Sequence, residues 1–528
     1  MRARWPLAGL AALLLVCTLL SIHAVNRDTV PMAADAAGYY RTTLMLDRLL
    51  EQGRAREAVA RLLQAEVRPP LPQLVTVATY RLLGERSQRV ARLSILPFLW
   101  LLLLATYGIG ARLKDRETGL VAAALLAGFP QVIGFSRSYW MDLPLAGVTA
   151  LSLWALLRTG GLRRRRASLL LGLTLGLGLL TKYTFPIFVG GPALYLALRG
   201  LRQAGDRRAL RRRLENICLA LLVTTALAAF WYVPSLESAW RNFRFNQGAD
   251  LLWPRPLWTL DNLLLYPRHL TVQLGPWLGL LLCTAPLFLL LAPSPVRLLV
   301  ALWLGLPYLF FTGLVRGIEW ARFTLPYLPA LALVIALALM QARRHRAPRA
   351  LGHAFALASL LGAVILTLGP PPSLPRGAFP WQRAQGRGLL APQGFDVQLS
   401  LARLFPPSGA GWTHVALAPD MGSLASVLET LALEQGQPLR VSVPYEPEAF
   451  GFRGRFAFPR RVGDPRYLRA FDYLVWVEPP EGVRPAARRP DLYRTFLVAW
   501  RAVEPALRST TGVRLPGGYV LHVLRPGG

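Results

Sequence analysis

The feature that most limits how this chain can fold is a succession of apolar runs, each about as long as a bilayer core is thick. The first follows Arg2 and Arg4 in MRARWPLAGLAALLLVCTLLSIHAV, and the others centre near residues 102, 126, 150, 174, 191, 224, 282, 305, 331 and 360. A helix needs about 20 residues to cross the hydrocarbon core, so the pattern predicts about eleven spans. Hydrophobic residues make up 53% of the 528, which fits a polytopic α-helical membrane protein better than a soluble domain. The runs near 174 and 191 are short and separated by little more than LTKYTFP, so they are expected to be tilted or to span incompletely.

A formal charge of +32 would, in a soluble chain, suggest nucleic acid. Here the basic clusters flank apolar runs: ARLKDRE at Arg112 to Glu117, RTGGLRRRR at Arg158 to Arg166, RGLRQAGDRRALRRR at Arg199 to Arg213, then Pro293 to Arg297 and Gln341 to Arg349. Alternate loops carry these clusters, as the positive-inside rule demands of cytoplasmic loops, so no nucleic-acid partner is expected. The N-terminus is then cytoplasmic, with an uncleaved first helix, and the chain sits in a bacterial-type inner membrane. Cys17, Cys218 and Cys283 all lie in apolar runs and none forms a Cys-x-x-Cys pair, which argues against a disulfide framework or zinc motif. Of the 60 basic residues only Lys114 and Lys182 are lysine, and Lys182 stands within the apolar region.

Two larger segments face outward, Asn26 to Arg92 and Ser235 to Gly275. The second holds Trp240, Trp253, Trp258 and Tyr266, residue types that settle at the headgroup level. After the last run, GPPPSLPRGAFP marks a linker. Beyond it THVALA, LRVSV, YLVWV and YVLHVL read as strands, with SLASVLETLALEQG and DLYRTFLVAWRAVEPALRS as helices between them. The expected division is a membrane domain over 1–370 and an extracytoplasmic α/β accessory domain over 371–528.

Charges held at a membrane boundary are the informative ones, because a charge at mid-bilayer costs about 2.5–3.5 kcal/mol or more unless it is paired, solvated or used. Asp35, Arg68, Asp142, Lys182, Arg316 and Arg322 all fall near the outward boundary. Together they suggest a site for an anionic, membrane-borne substrate. Singly they stay ambiguous. Asp35 precedes a helix expected from near Gly38 and is either its N-terminal cap or a catalytic group; Asp142, ahead of Pro144, has the same two readings. Lys182 either snorkels to the headgroups or pairs with a lipid phosphate, and Arg322 has the same choice.

Five segments, taken in order, resemble the GT-C membrane glycosyltransferases, of the family 39 type that includes protein O-mannosyltransferases and the aminoarabinose transferase of lipid A. ADAAGYYRTTLMLDRLLEQG is similar to the first-loop acidic motif, with Asp35 and Tyr39. EVRPPLPQLVTVATYRLLG is similar to the basic-Pro-Pro-Leu motif from Arg68 to Leu71. SRSYWMDLPLAG matches the second acidic motif with Asp142, LGLTLGLGLLTKYTFP the Leu-Thr-Lys segment with Lys182 and Tyr183, and WARFTLPYLPALALV the late arginine segment, with Phe323 in place of the usual Tyr. The likeness covers roughly residues 1 to 340. Ala36 stands where the family has a glutamate after the first aspartate, and Val67 where the lipid A type has one before the basic residue.

The resemblance implies an inverting transfer of a sugar from a polyprenyl-phosphate donor to a hydroxyl of an extracytoplasmic lipid, glycan or protein. It implies Asp35 as base, Lys182, Arg68 and Arg322 on the donor phosphate, and Asp142 orienting the acceptor or pairing with one of these bases. Tyr39, Tyr40 and Tyr183 would wall the sugar pocket. A divalent metal is compatible with the family; no metal ligand is assigned. A transporter or flippase of a lipid-linked sugar, or a non-catalytic relative that binds the lipid, would share the boundary charges and the lipid groove.

Overall fold

In hydrocarbon, backbone polar groups must be satisfied within each helix, and close helix contact depends on small side chains rather than on a hydrophobic drive. A computed structural model of the chain shows both. It describes residues 5–28, 31–32, 34–64, 68–247, 258–314, 321–341, 346–368, 401–405, 413–417, 422–437, 439–442, 471–478, 503, 505, 507–515 and 519–526. Every apolar run anticipated from the sequence lies in a helix. Six helices are long and apolar enough to cross a membrane, or seven if Leu260–Leu274 and Trp277–Leu291, bent by 119° at their junction, form one span. Eleven full crossings are not seen among the described residues. Arg116–Ala127, Asp142–Arg158 and Arg165–Leu179 have 12, 17 and 15 residues, short of the about 20 that a crossing takes. The chain is a multi-pass membrane protein.

The bundle has a centre and a rim. The window within Ala321–Gln341 is 94% buried, whereas that within Arg207–Glu237 is 17% buried. LPALALVIALALM is apolar all round, the pattern of a helix surrounded by others, and it packs on Trp277–Leu291 and Arg116–Ala127. Leu221, Leu222, Phe230, Val233 and Leu236 of the rim helix are exposed and face the lipid side. That helix grips its neighbour through glycines. A Cβ on Gly172 would lie 2.5 Å from the Ala220 carbonyl oxygen, and the Thr224 hydroxyl donates to the Gly172 carbonyl at 3.1 Å. The glycine spacing of LGLTLGLG is therefore a packing surface.

The chain separates into two compact units. The first takes in the residues up to Asn26 and those from Leu46 to Pro370; the second joins Arg27–Met45 to the C-terminal residues. Within the first unit, the helix Leu71–Leu83 ends on Gly84 in the left-handed conformation (φ 68°), and Ser87 caps the next helix by accepting from the Val90 amide. Asp47, fully buried, receives Arg81 Nε at 2.7 Å and also pairs with Arg86. Arg86 bonds Glu51 at 2.7 Å and holds its carboxyl below the usual carboxylate range. Asp47→Ala is expected to lower stability by about 2 kcal/mol, the scale of a lost charged hydrogen bond, since Arg81 and Arg86 are partly exposed and regain water. A melting curve in detergent that does not shift would contradict this.

In the second unit, strands β1 (Thr413–Leu417), β2 (Leu439–Ser442), β3 (Tyr473–Glu478), β4 (Leu507–Leu515) and β5 (Tyr519–Pro526) form one sheet of order β2-β1-β3-β5-β4. β1 runs parallel to β2 and β3, while β5 is antiparallel to β3 and β4. The helix Gly422–Glu434 connects β1 to β2, as a parallel pair requires. The expected helix over 491–509 is corrected at its end: Leu507 to Ser509 open β4 and pair with Leu524 to Pro526. The β-branched Thr510 and Thr511 suit a strand, with a register shift between Ser509 and Thr511.

Candidate active site

In the first unit, Asp142 and Lys182 come together from separate turns. Asp142 is the first residue of the helix Asp142–Arg158, where the positive end of the helix dipole favours a carboxylate. Lys182 follows the end of Arg165–Leu179, held by its own amide on the Gly178 carbonyl at 3.3 Å and by the Phe185 amide on its carbonyl at 3.0 Å. Lys182 Nζ lies 2.7 Å from Asp142 Oδ1, with the aspartate side chain 2% and the lysine 12% exposed. The pair neutralises Asp142 and aims one ammonium; the remaining face of that ammonium lies 4.9 Å from the Phe323 ring centre.

Arg322 adds a second cation. It sits in the 3-10 helix Ala321–Tyr327, is 3% exposed, and stacks its guanidinium 4.1 Å from the Trp140 ring centre and 5.1 Å from that of Phe323. The 3-10 helix is fixed from outside: the Gln273 amide donates to the Ala321 carbonyl and the Thr324 hydroxyl, both at 2.7 Å, and the Trp303 indole donates to the Pro326 carbonyl at 3.1 Å. The segment that carries Arg68 is tied to the Lys182 turn through its backbone. Two residues after it, Pro70 precedes the helix Leu71–Leu83, and the Leu71 amide bonds the Leu180 carbonyl at 2.8 Å, two residues before Lys182. Turned so that both its atoms are satisfied, the buried Gln73 amide donates to the carbonyls of Pro69 at 3.2 Å and Pro70 at 3.3 Å. Tyr139 donates to Thr76 at 2.9 Å, so the segment before Asp142 is tied to the same helix.

The first unit thus gathers Asp142, Lys182 and Arg322, with the Arg68 turn bonded to the Lys182 turn. Tyr183 is half-buried next to Lys182. Asp35, Tyr39 and Tyr40 belong to the second unit. Their helix begins at Ala34 rather than near Gly38, which puts Asp35 in the first turn, half-buried. Tyr40 is fully buried, and its hydroxyl donates to Glu434 Oε1 at 2.7 Å. Arg316, Trp253, Glu66 and Val67 lie outside the described residues. Among the described residues, no three His, Cys, Asp or Glu side chains gather as metal ligands.

Sequence reading passed over Trp140, Gln273 and Arg137. Trp140 stood inside the quoted SRSYWMD segment, two residues before Asp142, and an aromatic beside a boundary acid is a usable signal. Gln273 gave none, since its role depends on a 3-10 helix far along the chain. Arg137 is 3% exposed and bonds the Thr367 hydroxyl.

Arg322→Lys keeps the charge but loses the planar stack on Trp140. A stability loss of about 1 kcal/mol is expected, read by a melting curve in detergent; an unchanged melt would show that the stack contributes nothing.

Three comparisons bear on the arrangement. Residues 67–233 match the family described as dolichyl-phosphate-mannose-protein mannosyltransferase, a span that includes Arg68, Asp142 and Lys182. No curated protein matches the chain. Among solved structures, ArnT from Cupriavidus metallidurans in the apo state superposes with a TM-score of 0.60 at 14% identity, covering 98% of this chain and 97% of that one. ArnT from the same organism bound to undecaprenyl phosphate gives the same score and identity, with 98% of both chains covered. At that identity the likeness speaks for the fold alone, and the fold of this chain is the one seen in ArnT.

Proposed function

We propose that the chain is an inverting glycosyltransferase that takes a sugar from a polyprenyl-phosphate donor and joins it to a hydroxyl of an extracytoplasmic lipid, glycan or protein. The observation that carries this reading is the buried Lys182–Asp142 pair beside the stacked Arg322, within the segment that matches the mannosyltransferase family. The ArnT structure with undecaprenyl phosphate supports a lipid phosphate as the ligand for these cations. The membrane is proposed to be a bacterial inner membrane, with the Lys182 turn outward, because Arg163 to Arg166 and Arg199 to Arg202 lie at the far ends of the two helices, Arg165–Leu179 and Phe185–Arg202, that meet at Lys182.

The chemistry calls for such a cationic group. The donor phosphate is a diester with one negative charge. As the acceptor oxygen bonds the anomeric carbon, the bond from that carbon to the phosphate oxygen breaks, and the leaving polyprenyl phosphate gains a second charge. Attack from the opposite side inverts the anomeric centre. Cations already held in place stabilise the developing charge without reorganising. Lys182 and Arg322 are so held, and Arg68 is the third candidate. The hydroxyl proton goes to a base, for which Asp35 is proposed, and Asp142 pairs with Lys182 and orients its ammonium. Tyr39, Tyr40 and Tyr183 are proposed for the sugar pocket.

The test is reconstitution. Proteoliposomes are offered tritiated undecaprenyl-phosphate mannose, and in parallel other undecaprenyl-phosphate hexoses and pentoses, with total bacterial membrane glycolipid and protein as acceptors. Label passing to the acceptor fraction with release of undecaprenyl phosphate is expected. Movement of the lipid across the bilayer with no transfer would favour a transporter and end the enzyme reading.

A further inference from the structure

The C-terminal region shares a compact unit with the helix that carries Asp35, and two polar contacts join them. The Tyr40 hydroxyl donates to Glu434 at 2.7 Å, and Arg41 pairs with Glu429. These contacts are shielded: Tyr40 is fully buried, and the side chains of Arg41 and Glu429 are 17% and 16% exposed. Both glutamates lie on Gly422–Glu434, where Val427, Leu428 and Thr430 are fully buried, so the helix presenting them is packed. It in turn joins β1 to β2 of the sheet.

The angular arithmetic gives the contacts a purpose. At 100° per residue, Tyr40 is displaced about 140° from Asp35 around the helix axis, and Arg41 about 120° the other way. The two anchors therefore hold the side of the helix that Asp35 does not occupy. They flank its back like two guy lines, and they oppose rotation in either sense. Asp35 stands in the first turn, about one and a half turns before the anchors, where a helix end frays unless it is held.

We infer that the C-terminal domain sets the orientation of Asp35, with Glu429 and Glu434 as positioning residues that act through Arg41 and Tyr40. The inference rests on the glycosyl-transfer reading for its effect on turnover, and it gives the C-terminal domain a part in the reaction rather than an accessory place. Neither glutamate touches the reacting atoms. Their loss should appear in kcat, with the donor KM left in place by the cations of the first unit.

The test compares Glu429→Arg, the exchanged pair Arg41→Glu with Glu429→Arg, Glu434→Ala and Glu434→Gln, in full-length protein in proteoliposomes with tritiated undecaprenyl-phosphate mannose or whichever undecaprenyl-phosphate sugar the wild type uses. Glu429→Arg and Glu434→Ala are expected to lower kcat about tenfold or more, the effect of a misplaced catalytic group, with KM within about twofold. The exchanged pair should recover most of the rate, and Glu434→Gln, whose amide oxygen still accepts the Tyr40 hydrogen bond, should stay near wild type. Turnover unchanged in Glu429→Arg and Glu434→Ala, or a loss that the exchanged pair and Glu434→Gln fail to recover, overturns the inference. Hydrogen exchange over residues 34–45 reads the same contacts without activity. If the wild type transfers no sugar, the glycosyl-transfer reading fails, and the positioning claim is decided by exchange alone: faster exchange in Glu429→Arg, with undecaprenyl phosphate binding intact, upholds the anchor, and unchanged exchange overturns it.

Discussion

Lys182→Met is expected to remove sugar transfer by about a thousandfold and to destabilise the protein by about 3 kcal/mol, the two losses having different origins. Stability falls because Asp142, 2% exposed, loses the ammonium 2.7 Å away and is left as a buried carboxylate. The helix dipole at Asp142 and the 12% exposure of the lysine site soften that cost, which places it at the low end of the range for broken buried pairs. Transfer falls because, on the proposed reaction, a preorganised cation is gone from beside the leaving phosphate. The double variant Lys182→Met with Asp142→Leu separates the effects: it removes the stranded charge, so melting in detergent should return towards wild type, while transfer stays absent. If Lys182→Met transfers sugar within about threefold of wild type, Lys182 does not serve the phosphate. If the double variant melts as low as the single one, the pair is not the source of the stability loss.

Much of this was legible because hydrocarbon is an unforgiving solvent. Each apolar run marked a helix, and boundary charges marked Asp142, Lys182 and Arg322. What periodicity could not supply was partnership. Nothing local to LTKYTFP says that its lysine meets Asp142 from forty residues earlier, and nothing in SRSYWMD says that its tryptophan will receive Arg322. The number of crossings is not confirmed for a related reason: Arg116–Ala127 and Arg165–Leu179 are apolar but have only 12 and 15 residues, and composition alone does not separate burial by protein from burial by lipid. Tyr40 shows the limit most sharply. An aromatic in an outward loop reads as a pocket wall or an interfacial ring, whereas its hydroxyl bonds Glu434, almost four hundred positions away in the chain.

Asp35→Asn is expected to lower kcat by about 10²–10⁴-fold, the contribution of a placed general base, while binding of undecaprenyl phosphate changes by no more than about twofold. The contrast with Lys182→Met is the point of the experiment, because the two residues are proposed for different ends of the displacement. Asn is nearly isosteric with Asp and still accepts hydrogen bonds, and its place in the first helical turn suits either residue, so the fold should not suffer. What it lacks is the ability to take a proton from the acceptor hydroxyl. Ala36 makes this test stringent, since the residue next to Asp35 has no second carboxylate to stand in. A normal KM for donor with a rate cut about a hundredfold or more would establish Asp35 as a group acting in the transition state. Full activity in Asp35→Asn would show that the proton leaves by another route, with the cationic group of the first unit still intact as the donor site.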